Sequence, residues 1–448
     1  MCITLKRLKV EPFFFCLVCV LHCQHMKFKK KTLPNGLRMI TVPMADNPTV
    51  TVLVLVETGS KYETKAKNGL SHFLEHMCFK GTTNRPNTSD LSKELDGLGC
   101  EYNAFTGQEY TGYYAKGKAA DFPKLLDVIA DLYLNPLFKD DEIEKEKGVI
   151  VDEINMYDDL PMRKVHEVWM TLLYGDQPAG WPIAGERDVV RGMNHKDFLA
   201  YRKAHYIAPA TTVIVTGNID GAQAFKDIAK KFKGVAEGKK GAKKKTNDKQ
   251  VAPAIAVQHK ETDQTHFILG VRTFPVYDER NPILSVLSGI LGSGMSSRLF
   301  RKLRDEMGVG YYVNARNTAF TDHGHFSVSA GVANARMEEV LQAVLGEFES
   351  LKHEIVSDEE LAKVKEHLVG MMYLGLESSD DLAEYYGIQE VMRRDIRTPK
   401  EKERLIRAVT ADDVRTMARK IFVEKNLNLA LIGPAKDGEV FKKVLKLK

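Results

Sequence analysis

Cysteine is scarce over most of this chain. Of six cysteines in 448 residues, Cys2, Cys16, Cys19 and Cys23 crowd the first 25 positions, and only Cys78 and Cys100 serve the rest. A disulfide scaffold is therefore excluded. Long apolar runs are missing too: the longest, residues 13–21, is about half of the roughly 20 residues a membrane-spanning helix requires. Glycine and proline, at 33 and 16 residues, are too few for a collagen-like or low-complexity chain, and 44% hydrophobic with 28% charged residues does not fit disorder. What remains is a globular chain, long enough for two or three domains of roughly 150 residues each.

A basic stripe is also absent. The net charge is +5, yet residues 1–31 carry seven Lys or Arg against Glu11 alone, and residues 229–249 carry nine Lys against Glu237 and Asp248, which leaves the remainder net negative. With the cations in two aperiodic runs, nucleic acid is excluded as the main partner and the runs read as solvated charge. Lys6, Arg7 and Lys9 precede the apolar stretch as in a signal peptide, but Glu11 intrudes and no small-residue cleavage site follows. Met26 opens a fresh polar segment running into a strand. Residues 1–26 are accordingly read as a leader or upstream-start extension, with a cytoplasmic location expected and export as the alternative if that segment acts as a signal.

What the sequence does contain is a repeat. Residues 68–81, NGLSHFLEHMCFKG, lie without gaps over residues 281–294, NPILSVLSGILGSG, with apolar positions coinciding at Leu70/Ile283, Phe73/Val286, Leu74/Leu287 and Met77/Ile290. A strand-like stretch precedes each copy. After each, AFTGQEYTGYYA from Ala104 matches AFTDHGHFSVSA from Ala319, and DDEIEKEK from Asp140 matches SDEELAKVK from Ser357. The fold class predicted is α+β: two tandem homologous halves, each a mostly antiparallel sheet covered by helices. The halves are placed at 27–233 and 256–448, joined by a flexible Gly/Lys-rich linker at 234–255.

Only the first copy carries chemistry. His72 and His76 are four residues apart, so on a helix they share one face, with Glu75 beside them; the second copy has Ser285, Ser288 and Gly289 instead. Two imidazoles at that spacing can share one Zn²⁺, the H-x-x-E-H pattern of inverted zincins. A third ligand is required, and the acidic stretch 142–155 offers Glu142, Glu146 and Glu153. Glu146 and Glu153, seven apart on a stripe with Ile143, Ile150 and Ile154 beside it, fit a solvated acidic face less well than Glu144 and Asp152 do.

HFLEHMCFKGT at His72, YNAFTGQEYTGYY at Tyr102 and EKGVIVDE at Glu146 together resemble the pitrilysin family of metallopeptidases, with coverage from about Phe28 to the C-terminus. The resemblance implies His72, His76 and Glu153 as ligands of one Zn²⁺ per chain, and Glu146 as an auxiliary carboxylate. It also implies an edge strand at Asn103, Ala104 and Phe105 to which an extended peptide adds, and a pocket role for Phe79 and Phe105. LFRKLRDEMGVGYYV from Leu299 is similar to the family segment carrying a substrate-binding Arg and Tyr, which fall on Arg304 and Tyr311. Glu75 takes the role of general base toward water, then returns the proton to the leaving amine.

The expected function is thus a zinc-dependent endopeptidase acting on unfolded or extended peptides; the alternative is a non-catalytic scaffold or partner subunit of the same fold. A homodimer is expected, because relatives that enclose their substrate use four such halves. Cys78, about 200° round the helix from His76, reads as a buried small residue, and His166, His195, His205, His266, His323 and His325 as structural histidines.

Overall fold

The computed structural model describes residues 27–310 and 312–447. The leader and Tyr311 lie outside the described residues. Two sheets organise the chain. The first runs β1-β2-β6-β3-β5-β4, from β1 Lys29–Thr32, β2 Arg38–Pro43, β3 Thr49–Val56, β4 Glu101–Thr106, β5 Thr111–Lys118 and β6 Thr211–Gly217. The second runs β7-β11-β8-β10-β9, from β7 Ala254–His259, β8 Gln264–Thr273, β9 Tyr312–Ala319, β10 Gly324–Ala333 and β11 Asn428–Gly433. Every pairing is antiparallel except β2 with β6 and β7 with β11. The α+β expectation holds.

Helices cover these sheets: α1 Leu70–Cys78, α2 Phe122–Leu134, α3 Asp140–Asp159, α4 Pro161–Tyr174, α5 Asn281–Gly292, α6 Asp358–Leu374 and α7 Ser379–Met392. The repeat appears as structure, since α1 and α5 occupy its aligned segments and α3 and α6 follow in the same order.

The repeat does not reveal which helix covers which sheet. In β3, TVTVLVLV, successive side chains face opposite ways. Val50, Val52, Val54 and Val56 point into a core with Phe73, Leu74 and Met77 of α1 and Leu125, Val128 and Ile129 of α2. Leu53 and Leu55 point the other way, into a second core with Leu382, Ala383 and Tyr386 of α7, a helix from the other end of the chain. The second sheet repeats the arrangement in mirror: Phe267, Leu269 and Val271 of β8 face their own helices, while Ile268 packs with Val165, Trp169 and Leu173 of α4. Each sheet therefore buries one face under a helix lent by the other half. That explains why β3 is apolar on both faces, and why α4, with Trp169 only 1% exposed, carries so large a buried ring.

The segment expected to be a flexible linker is tied down. Lys240 pairs with Glu57; Lys243 reaches Glu109 at 2.5 Å and also Thr321; the Thr246 amide donates to Asp322 at 2.9 Å. Beneath it the buried Lys61 ammonium pairs with Asp322 and lies 3.5 Å from Glu109. The lysine run is thus not simply solvated, because carboxylates at the junction of the halves take up its charges. Among the described residues no helix is long and apolar enough to cross a membrane.

Candidate metal centre

Helix α1 is held at its start by a buried carboxylate. Gly69, at φ 97°, makes the left-handed turn into the helix, and Glu63 accepts from the Gly69 amide at 2.8 Å, the Ser71 amide at 2.6 Å and Asn68 Nδ2 at 3.0 Å. The two backbone amides are N–H groups a helix start leaves unpaired, and an anion there complements the helix dipole. A side chain at Gly69 would meet the Ala184 carbonyl oxygen at 2.5 Å, so that approach requires glycine. Burial lifts the Glu63 carboxyl to about 7, against the pull of these hydrogen bonds.

From α1, His72 and His76 project toward Glu153 of α3. His72 Nε2 and His76 Nε2 each lie 3.5 Å from Glu153 Oε2, and one nitrogen or oxygen of each residue falls within 4.8 Å of the others. Among the described residues no other three His, Cys, Asp or Glu side chains converge in this way. His76 Nδ1 lies 2.9 Å from Glu146 Oε1. A carboxylate can only accept, so Nδ1 carries a hydrogen, and it is the loss of the second proton that turns the Nε2 lone pair toward the cluster. Lys80 holds the other Glu146 oxygen at 2.6 Å. His72 Nδ1 is buried with no partner.

The charges are arranged unevenly. Burial, then neighbouring His76, push His72 down to about 4 against Glu153. Burial also opposes a proton on His76, but the hydrogen bonds to Glu146 and Glu153 and the charge of Glu75 prevail and hold it up at about 9. The His76 hydrogen bond outweighs burial to keep Glu153 below the usual carboxylate range. For Glu146 burial pulls upward, and His76 and Lys80 overcome it. Glu75 goes the other way: burial raises it, partly offset by Thr106 Oγ1, which donates to Oε2 at 2.5 Å.

Two imidazoles that can be neutral and one carboxylate converging, with the buried Glu146 carboxylate accepting from His76 Nδ1, fit the donor set of Zn²⁺. The three residues open onto a cleft of about 730 Å³ whose walls include Asn103, Ala104, Phe105, Gln108, Met170 and Trp181. Strand β4, which carries Asn103 to Phe105, lies at the edge of the first sheet and pairs only with β5.

Not every residue singled out above reaches this cleft. Phe79 follows the last turn of α1, its amide bonded back to the His76 carbonyl, and packs partly buried against the first core. A pocket role is anticipated for it, and it does not line this cleft. Arg304 is exposed on the π-helix Arg301–Glu306, its guanidinium 5.8 Å from the Phe300 ring, and does not line the cleft. Gly308 and Gly310, at φ 62° and 93°, turn the chain out of that helix. Of the histidines set aside, His166 lines the cleft, whereas His195 sits on the Phe138 carbonyl and His323 between Asp322 and Phe320; Cys78 is buried with Sγ 3.6 Å from the Tyr113 hydroxyl.

Four contributors escaped the sequence reading: Glu63, Lys80, Thr106 and Tyr157, which lies near enough to Glu153 to help hold its carboxyl down. Lys80 and Tyr157 follow His76 and Glu153 by four residues, a helical spacing that marks them. Glu63 and Thr106 reach the site through turns and a strand, for which no such periodicity exists.

The chain matches the family profile Insulinase (Peptidase family M16) over residues 38–187 and the profile Peptidase M16 inactive domain over 192–368. It is 33% identical over 411 residues to an uncharacterized zinc protease of Bacillus subtilis, covering 91% of this chain and 98% of that one. It is 32% identical over 420 residues to an uncharacterized zinc protease of Streptomyces coelicolor, covering 91% and 90%. Among solved structures it superposes on a protease from Helicobacter pylori with a TM-score of 0.84 at 25% identity, covering 91% of this chain and 99% of that one. Site geometry and these likenesses define the class as zinc-protease-like. The chain belongs to peptidase family M16, the pitrilysin family.

Proposed function

We propose that this protein is a zinc-dependent endopeptidase that hydrolyses unfolded or extended peptides. The observation that carries the reading is the convergence of His72 Nε2, His76 Nε2 and the Glu153 carboxylate at one cleft, with Glu75 buried beside them and β4 forming its edge. His72, His76 and Glu153 hold one Zn²⁺, which supplies a Lewis acid for the scissile carbonyl and for water. Glu75 accepts a proton from the water as its oxygen adds to the carbonyl carbon, then gives that proton to the amine nitrogen as the C–N bond breaks. Thr106 keeps one Glu75 oxygen engaged, so the other faces the cleft. Glu146 fixes the His76 tautomer. The free edge of β4, at Asn103, Ala104 and Phe105, offers main-chain partners to an extended peptide, which favours unfolded over folded substrates.

Arg304 and Tyr311 enter this reading through the family segment at Leu299. In it they act on the peptide from a second copy of the chain, since Arg304 stands outside this copy's cleft. A homodimer is part of the proposal, and light scattering at micromolar concentration tests it. A cytoplasmic site of action accords with Cys78 and Cys100, both free thiols.

Glu75→Gln tests the function directly. The variant is expected to bind one Zn²⁺ per chain and lose nearly all peptide turnover, whereas Glu153→Gln loses metal. A Glu75→Gln protein as active as the parent overturns the general-base role. A zinc-loaded parent that cleaves no member of a mixed peptide library returns the chain to a scaffold reading.

A further inference from the structure

Beyond the zinc cleft, and sharing Gln108, His166, Met170 and Ile183 with it, lies a second cavity of about 720 Å³ at the junction of the halves. The β4–β5 turn bounds one side and β9, the edge strand of the second sheet, bounds another. Four cations line it: Arg316 from β9, Arg393 and Arg397 from the end of α7 and beyond, and Lys402 from the helix Pro399–Ala408.

Their charges are not balanced from within. Among the described residues Arg316 has neither an ion pair nor a hydrogen bond. It lies near enough to His166, on the shared wall, to disfavour a proton there. Lys402 has no carboxylate partner among the described residues; its ammonium rests 4.3 Å above the Tyr385 ring, and burial with Arg393 and Arg397 nearby pulls it down to about 8. Arg393 and Arg397 share two exposed rim carboxylates, Glu279 and Asp395, and Arg393 Nε is buried without a partner. The one acid of the lining, Glu109, is consumed by Lys243, Lys61 and the amide and hydroxyl of Thr321. Four concentrated cations, two of them without a carboxylate partner among the described residues and two paired only to exposed carboxylates on the rim, leave the cavity net positive and make a site for an anion.

We propose that this cavity is a carboxylate-recognition subsite. It takes an acidic group, an Asp or Glu side chain or a C-terminal carboxylate, on the stretch of peptide that leaves the zinc cleft toward the second half. The proposal rests on the peptidase reading, because β4 delivers a bound strand past Thr106 to the turn that walls the cavity. Arg316 and Lys402 are its specificity-determining residues, and Arg393 and Arg397 are the less free pair behind them.

The test is a set of ten-residue quenched fluorescent peptides in which one Glu is walked along the sequence, with Gln at each position as reference and each peptide made as free acid and as C-terminal amide. Zinc-loaded parent enzyme is expected to show a KM roughly tenfold lower for Glu than for Gln at positions on one side of the scissile bond only, weakening with added salt. In Arg316→Gln and Lys402→Met that Glu-to-Gln ratio falls toward one. Arg316 is exposed on an edge strand, so its variant carries the test if Lys402→Met melts early. If the advantage follows the free acid and disappears in the amide, the terminal carboxylate is the group bound; if it follows the Glu position, the side chain is. A ratio near one at every position with free acid and amide alike, or a preference that survives in the Arg316 variant, overturns the subsite. Anisotropy of the same peptides on intact protein reads the cavity without turnover. If nothing is cleaved but Glu peptides still bind more tightly in an Arg316-dependent way, the peptidase reading fails and the subsite stands; equal binding of Glu and Gln peptides removes the subsite alone.

Discussion

Glu146 never reaches the metal position itself, yet the geometry predicts that removing its charge loosens the metal. Its Oε1 accepts the His76 Nδ1 hydrogen at 2.9 Å and its Oε2 holds Lys80 at 2.6 Å. Glu146→Gln keeps shape and a possible acceptor but turns a charge-assisted hydrogen bond into a neutral one and leaves Lys80 beside the cluster without its counter-ion. A hydrogen bond to a charged group is worth about 1.5–3 kcal/mol against about 0.5–1.5 for a neutral one, so the loss is about 1–1.5 kcal/mol, or roughly 5- to 12-fold in zinc affinity. Lys80→Met is predicted to act in the opposite sense: freed of the ammonium, Glu146 draws the His76 proton more strongly and zinc binds as tightly or more tightly. Competition against a chromophoric chelator at constant pH reads both changes, and thermal melts confirm that the variants fold. Zinc affinity of Glu146→Gln within twofold of the parent refutes the assignment, as does a Lys80→Met that weakens the metal as much.

Three further outcomes follow from the fold. Residues 27–253 expressed alone are expected to aggregate, because Leu53, Leu55 and Ile214 lose the cover of α7, and co-expression of 254–447 restores solubility; a monodisperse first half refutes the helix exchange. Trp169→Ala removes the largest ring between α4 and the second sheet and should cost about 3–5 kcal/mol, read from denaturant midpoints, with a loss below ~1 kcal/mol arguing that the two are loosely packed. Burial, then His323, His166 and Arg316, hold His325 down to about 3, whereas an unfolded histidine titrates near ~6.5. The unfolded chain therefore binds the extra proton between those values, and the stability this residue contributes is complete above pH ~6.5 and lost as pH falls toward 3. The melting temperature should drop on acidification through that window, more shallowly in His325→Gln; parallel slopes discard the assignment.

Much of this protein is legible locally. The H-x-x-E-H spacing places His72, Glu75 and His76 on one helical face, because i, i+3 and i+4 positions are neighbours whatever the surroundings. The self-similarity between residues 68–81 and 281–294 carries the two-fold plan of sheets and helices, since like apolar patterns bury like faces. A strand-like stretch ahead of each copy is legible in the same way, and the unbroken apolar run in β3 fits its cover on both faces.

Tertiary structure decided the rest. Which helix covers the second face of each sheet depends on packing between segments far apart in sequence, and α4 and α7 cross between the halves where the repeat alone points to each half closing on itself. The lysine-rich linker is polar and aperiodic in sequence, but its charges are drawn to Glu57 and Glu109 only because folding brings those carboxylates to the junction. Glu63 and Thr106 act on α1 through space, at distances in sequence that no helical period links. The basic cavity of Arg316, Arg393, Arg397 and Lys402 is likewise invisible along the chain, where each cation is one of 65. It exists because an edge strand and two helices from different places bring four cations together with only Glu279 and Asp395 at the rim to answer them.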